Sequence, residues 1–203
     1  AHSTQEIQHK YGDNILMIKR LPKALAEGMG EEGEYITTVG AVTATSQVQW
    51  EEGGYNRQQE AYPNMKAVER KLETADSQDT AKQIMAEMLK KYPDLKGFQG
   101  ATSQDGPGAA QAVEEAQLVG KVTITSTSMP SIGGKFMESG SLAAMACWDP
   151  AAAGEAMNVL ACTILNGNRD AIKVGANIGV EGYDSIQLNP NKADSDTPEK
   201  YLQ

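Results

Sequence analysis

The chain has 203 residues, of which 40% are hydrophobic, enough for one medium domain with a real core, so a disordered tail is excluded. Its 18 basic and 27 acidic residues leave a net charge of −9, a field that opposes phosphate backbones and anionic lipid, so nucleic acid and membrane surfaces are not expected partners. Aromatic residues make up only 5% of the chain, while Gly and Ala are abundant; close-packed helix on sheet, an α/β class, is expected.

The sequence opens at Ala1 with neither an initiator Met nor a signal peptide, which predicts a mature form or a piece of something longer. Residues 1–33 form an irregular opening with one helix expected around 14–28, kinked or broken at Pro22. From Glu34 onward strand-like and helix-like segments alternate, as in parallel βαβ units. Strands are predicted at 35–42, 65–72, 95–100, 122–127 and 142–147. The second, carrying Lys66, Glu69, Arg70 and Lys71, is too charged for a sheet centre and suits an edge.

A helix over 46–62 should open at Thr45 or Ser46 and be weakened by Gly53 and Gly54. The clearest helix is 80–92, where Ala81, Ile84, Met85, Met88, Leu89 and Tyr92 share one stripe, with Ser77 and Asp79 as possible caps and Pro93 as the stop. Helix 107–117 begins at Pro107 and presents Ala109, Ala112, Val113 and Ala116 to the sheet. Helix 151–166 is apolar nearly all round, which asks for cover on more than one side, and Pro150 makes a sharp corner before it. The longest apolar stretch, 157–165, contains Asn158 and Thr163 and is far shorter than a membrane span. The end, 189–203, is rich in Asp, Pro, Asn and Lys and is expected to be loosely held.

The only cysteines, Cys147 and Cys162, form no CxxC motif and are expected to be free and buried; no metal site or cofactor is expected. In a parallel sheet ligands bind beyond the carboxyl ends of the strands. Those positions here hold Thr43, Thr45, Ser46, Gln47, Gln49 and Trp50, then Thr102, Ser103, Gln104 and Asp105, then Ser126, Thr127 and Ser128, then Trp148 and Asp149. Neutral donors and acceptors beside an aromatic ring suit a polyhydroxylated neutral ligand. A nucleotide is disfavoured, because neither GxGxxG nor GxxxxGK[ST] is present. Catalysis has little to stand on. No GxSxG elbow exists, and His2 and His9 both lie in the opening segment. Asp105 and Asp149 remain as a carboxylate pair for glycoside chemistry.

The run from Gly33-Glu-Tyr-Ile-Thr-Thr-Val to Thr45-Ser-Gln-Val-Gln-Trp50, with Tyr62-Pro-Asn-Met-Lys66, Tyr92-Pro-Asp-Leu-Lys-Gly97, Pro107-Gly-Ala-Ala-Gln-Ala112 and Trp148-Asp-Pro150, resembles the sugar-type substrate-binding proteins of ABC importers, most closely the autoinducer-2 and rhamnose binders. The resemblance covers about 27–167. It implies a periplasmic-binding-protein type I fold, two α/β lobes closing on a ligand like a hinged trap, with mainly the second lobe present. The implied organisation is an opening segment (1–33), a ligand-binding lobe (34–141), a strand and helix that in the family return to the other lobe (142–168), and a crossover and tail (169–203).

The resemblance also implies site residues. Ser46 and Gln47 match a polar ligand-contacting pair that begins with Asp in the autoinducer-2 binders; Ser46 removes that charge and leaves a pentose, deoxyhexose or related sugar open. Pro107 and Ala109 match a small-residue wall, Trp148 a pocket aromatic, and Asp149 a hydroxyl acceptor, with Asp105 at the neighbouring strand end. The function implied is a receptor, without catalysis, for a small neutral sugar or sugar-like signal. It would deliver to ABC importer membrane subunits in a periplasmic or extracellular location, associated with the membrane only through the transporter. A repressor's effector domain shares the fold, but it predicts a helix-turn-helix and a basic patch, which residues 1–33 do not offer. An enzyme acting on a small sugar predicts turnover instead of stoichiometric binding.

Overall fold

In the computed structural model, residues 20–147, 150–173 and 175–180 are described. The described residues fall into two compact units, one running to Cys147 and the other from Pro150 onward.

The first described helix, α1 (Leu21–Met29), holds Pro22 in its first turn and ends at Gly30 with φ 72°. The missing N–H of Pro22 costs little at that position; residues 14–19, where the expected helix begins, lie outside the described residues. Strand β1 (Gly33–Val39) is buried along its last five residues. It is followed by α2 (Thr45–Ala61), β2 (Met65–Glu73), α3 (Gln78–Lys91), β3 (Leu95–Gly100), α4 (Asp105–Glu115), β4 (Thr123–Thr127), α5 (Pro130–Glu138) and β5 (Ala144–Ala146). All five expected strands are present, although β1 stops three residues early and β5 is only three residues long.

The strands form one sheet in the order β2-β1-β3-β4-β5, with every pairing parallel. The charged strand β2 does lie at an edge. At the other border β5 joins the sheet, with Thr125, Ser126 and Thr127 paired to Ala144, Met145 and Ala146. Helix α5 was not foreseen. Its signal was Pro130 at the first helical position, a placement that favours helix starts.

The sheet's two faces are covered differently. On one, Ile36, Phe98 and Ile124 meet Met85 of α3 and Ala109, Ala112 and Val113 of α4 in the main core. Gly108 permits the close approach of α3 and α4, because a Cβ there would lie 2.4 Å from the Gln78 carbonyl oxygen. On the other face, Leu25, Ala26 and Met29 of α1 pack with Tyr35 and Met65. Gly97 makes room for this packing, since a Cβ there would meet Met29, Tyr35 and Leu25.

Helix α2 is the exception to apolar docking, because its buried residues are Glu51, Gly54 and Gln58. Glu51 accepts two hydrogen bonds from the Arg70 guanidinium, each 2.9 Å, and one of 2.8 Å from the Thr37 hydroxyl. Arg70 also lies 3.5 Å from the centroid of the Tyr55 ring. The charge that marks β2 as an edge strand is thus matched by the helix that covers it.

The second unit contains α6 (Pro150–Leu165) and a 3-10 turn (Arg169–Ala171). Met157, Ile164 and Leu165 on α6 are exposed. Neither cysteine is in a disulfide; Cys147 is half-buried and Cys162 exposed, contrary to the expectation that both are buried. Among the described residues no helix is long and apolar enough to cross a membrane.

Candidate functional site

Because all five strands are parallel, their carboxyl ends share one edge of the sheet. β1 lies between β2 and β3, so the chain reverses direction across the sheet at the β1/β3 boundary. The helix after β1 covers one face and the helix after β3 the other, and the loops leaving those strands diverge into a crevice. Its sides are residues 40–44, entering α2, and 101–104, entering α4.

On the β1 side, Ser46 lies exposed in the first turn of α2 and Gln47 is half-buried. Gln47 folds back so that its Oε1 accepts the Gly40 N–H at 2.7 Å. Neither expected cap, Thr45 or Ser46, caps α2; Ala44 occupies that position in extended conformation, with no side-chain hydrogen bond. The Ser46 hydroxyl is left facing outward. Beside them Ala75 and Asp76 both adopt left-handed backbone conformations, φ 52° and 53°. Asp76 lays its carboxylate over Gly40, where a Cβ would be 2.8 Å away.

The β3 side is organised by Asp105, which is fully buried. Its carboxylate accepts hydrogen bonds from the hydroxyls of Thr38, Thr74 and Thr102, each 2.7 Å, and from the Ala101 and Thr102 N–H groups, each 3.1 Å. Burial raises its pKa, and the donors of Thr102, Thr74 and Thr38 partly offset that rise. Asp105 therefore ties together the ends of β1, β2 and β3 and has no face toward solvent. This corrects its expected role as a ligand contact and as one of two hydrolytic carboxylates.

Pro107 and Ala109 are corrected in the same way. Both are buried in α4, which begins at Asp105, two residues earlier than expected, and Ala109 belongs to the main core. The side chains at the crevice on this side are Ser103 and Gln104, both half-buried. Trp148 and Asp149 lie outside the described residues.

Along the rest of the edge, Ser126 Oγ accepts the Gly106 N–H and donates to the Thr102 carbonyl, while Ser128 Oγ donates to the Ser103 carbonyl at 2.9 Å. Thr127, the last residue of β4, is buried with a hydroxyl that has no hydrogen-bond partner. A buried polar group normally finds one, so Thr127 stands out at the edge where a ligand would bind. Strand-end position alone pointed to it in the sequence; the unpaired hydroxyl was not visible there. A shallow groove of about 680 Å³ runs along α6, lined by residues including Gly154, Asn158, Cys162 and Asn166, and involves none of these strand ends. Among the described residues no group of three or more His, Cys, Asp or Glu could hold a metal ion.

Comparison with known proteins adds to this geometry. A family model described as a periplasmic binding protein domain matches residues 11–169. A D-apiose import binding protein of Paraburkholderia graminis is 32% identical over 95 residues, which cover 47% of this chain and 30% of that protein. A glucose-galactose binding protein from Geobacillus stearothermophilus superposes with a TM-score of 0.70 at 22% identity, covering 76% of this chain and 55% of its own. An ABC transporter solute-binding protein from Clostridium phytofermentas, solved with bound L-rhamnose, gives 0.68 at 20% identity, over 88% and 53%. These structures share the fold of this chain, which spans about half their length.

Proposed function

We propose a function from one established premise: the chain belongs to the periplasmic binding protein domain family. Within that family it is a receptor, or the larger part of one lobe of a receptor, for a small neutral sugar, and it hands the sugar to the membrane subunits of an ABC importer from the periplasmic or extracellular side. No catalytic step is included.

One observation carries this reading. The two loops that flank the crevice, 40–46 and 101–104, contain no charged residue and offer Thr43, Ser46, Ser103 and Gln104. Sugar hydroxyls need paired neutral donors and acceptors, whereas a phosphate or carboxylate ligand needs cations. Gln47 and the Thr127 hydroxyl extend the same neutral set, and the Asp76 carboxylate over Gly40 adds one anionic acceptor beside it, which further disfavours an anionic ligand. Trp148 supplies an apolar face for the sugar C–H groups, and Asp149 an acceptor beside it. Rhamnose and ribose-like sugars fit this set better than autoinducer-2, because Ser46 stands where the autoinducer-2 binders are expected to carry Asp. Asp105 acts behind the site, by holding the loop ends.

The test is calorimetric titration of the chain with L-rhamnose, D-apiose, D-ribose, D-glucose, D-galactose and autoinducer-2, run beside a product assay. Stoichiometric binding of at least one neutral sugar without turnover is expected. Turnover, or binding confined to anionic ligands, would overturn the reading. At matched stability Trp148→Ala should weaken binding by more than Trp50→Ala, about tenfold against little change, since an aromatic face is worth roughly 1 kcal/mol or more. Equal losses would remove Trp148 from the site.

A further inference from the structure

The interface between α2 and the sheet is polar where helix–sheet interfaces are ordinarily apolar. Beyond Glu51 and its partners it contains four side-chain atoms without any hydrogen bond: Tyr35 Oη, both amide atoms of Gln58, and Gln99 Oε1. Tyr35 and Gln58 are fully buried, and Gln99 is 6% exposed.

These groups lie on one face. Tyr35, Thr37 and Gln99 project to the same side, because Thr37 is Gln99's partner across β1 and β3, and Tyr35 precedes Thr37 by one strand repeat. From α2, Gly54 sits directly over Gln99, where a Cβ would be 2.7 Å from its Nε2. Gln58 follows one helical turn later on the same buried stripe. Burial raises the Tyr35 phenol well above its ordinary pKa, while Arg70 lowers it and Glu51 and Tyr55 raise it further. The phenol thus remains a neutral donor close to the Glu51–Arg70 pair.

Four orphaned polar atoms in one seam are too many for a native interface. Buried groups of this kind are paired with protein or ordered water, and one buried water satisfies about three of them. We infer that α2 is docked on the sheet through a permanently hydrated seam, in which roughly two ordered water molecules bridge Tyr35 Oη, the Gln58 amide and Gln99 Oε1. The helix that presents Ser46 and Gln47 is then held at mid-length by exchangeable water and the Glu51–Arg70 pair instead of by side-chain interdigitation. The inference does not depend on the identity of any ligand.

Water-oxygen magnetic relaxation dispersion on the full chain tests it, because only waters held far longer than surface water contribute. The wild type should show a dispersion equivalent to at least one long-lived water. Gln58→Leu, which removes both amide atoms, should reduce that amplitude by half or more. Tyr35→Phe deletes one oxygen with little change of shape and should shorten the residence time, which covers the case in which Gln58→Leu fails to fold. No long-lived component in the wild type would overturn the inference, as would amplitude and residence time unchanged in both variants. So would a crystal structure in which the Gln58 amide bonds directly to Tyr35 or Gln99 with no density between them.

Discussion

Asp105 and Glu114 sit at opposite ends of α4 and respond to pH with opposite signs. For Asp105 burial raises the carboxyl pKa despite its hydrogen bonds. The folded chain keeps that proton to higher pH than the unfolded chain, so stability from this site is greatest at and below the ordinary Asp range. It declines as pH climbs to the raised value. For Glu114 the hydroxyls of Ser139 and Ser141, at 2.6 and 2.7 Å, hold the carboxyl below its ordinary value. Its contribution is present above the ordinary Glu range and disappears as pH falls through the lowered value.

Urea midpoints across acidic pH should therefore lose their decline with rising pH in Asp105→Asn, and part of their acid sensitivity in the double variant Ser139→Ala, Ser141→Ala. Asp105→Ala leaves five donors without an acceptor and should cost about 3–5 kcal/mol at neutral pH. Legibility at this scale follows sequence distance. Ser77 was readable as a cap because its partner, the Thr80 N–H at 3.2 Å, is three residues away. Asp105 was misread because its direction is fixed by Thr38 and Thr74, which no local pattern links to it.

Helices and strands were legible where one face is apolar. α3 shows its stripe plainly, and β2 reveals its edge position through its charges. What remained hidden were boundaries set by tertiary contact: the early start of α4, the short α5, and the cap of α2. Ala44 sits at that cap with extended backbone, φ −78° and ψ 90°, so Ala44→Ser should add a side-chain acceptor for the first turn. The expected gain is about 1 kcal/mol by chemical denaturation.

Glycine substitutions should separate helix positions in close contact from positions facing open space. Gly108→Ala drives a methyl into the Gln78 carbonyl and Ala81 and should destabilise by about 2 kcal/mol. Gly134→Ala, in α5 with nothing within 4 Å, should stabilise by about 0.5–1 kcal/mol. Thermal melting of the two variants reads both signs in one experiment.

At the scale of the whole chain, the five-stranded sheet and both apolar clusters lie within the first unit. Residues 13–147 alone should therefore unfold in one cooperative urea transition, and a broad, non-cooperative transition would show that the second unit is needed. The α/β class and the strand count were legible because they depend on alternation along the chain. Strand order was legible only at one border, since order is decided by which crossover packs on which face, a property no single segment carries.

The central position of β1 also shapes how this chain emerges from the ribosome. β1 is made before β2, α3 and β3, yet it needs a strand on each side. Until residues 95–100 leave the exit tunnel, its backbone N–H and C=O groups can be paired along one border at most. During that interval the nascent polypeptide exposes an open border of adhesive strand, so chaperone engagement should peak early in synthesis and fall once β3 has docked.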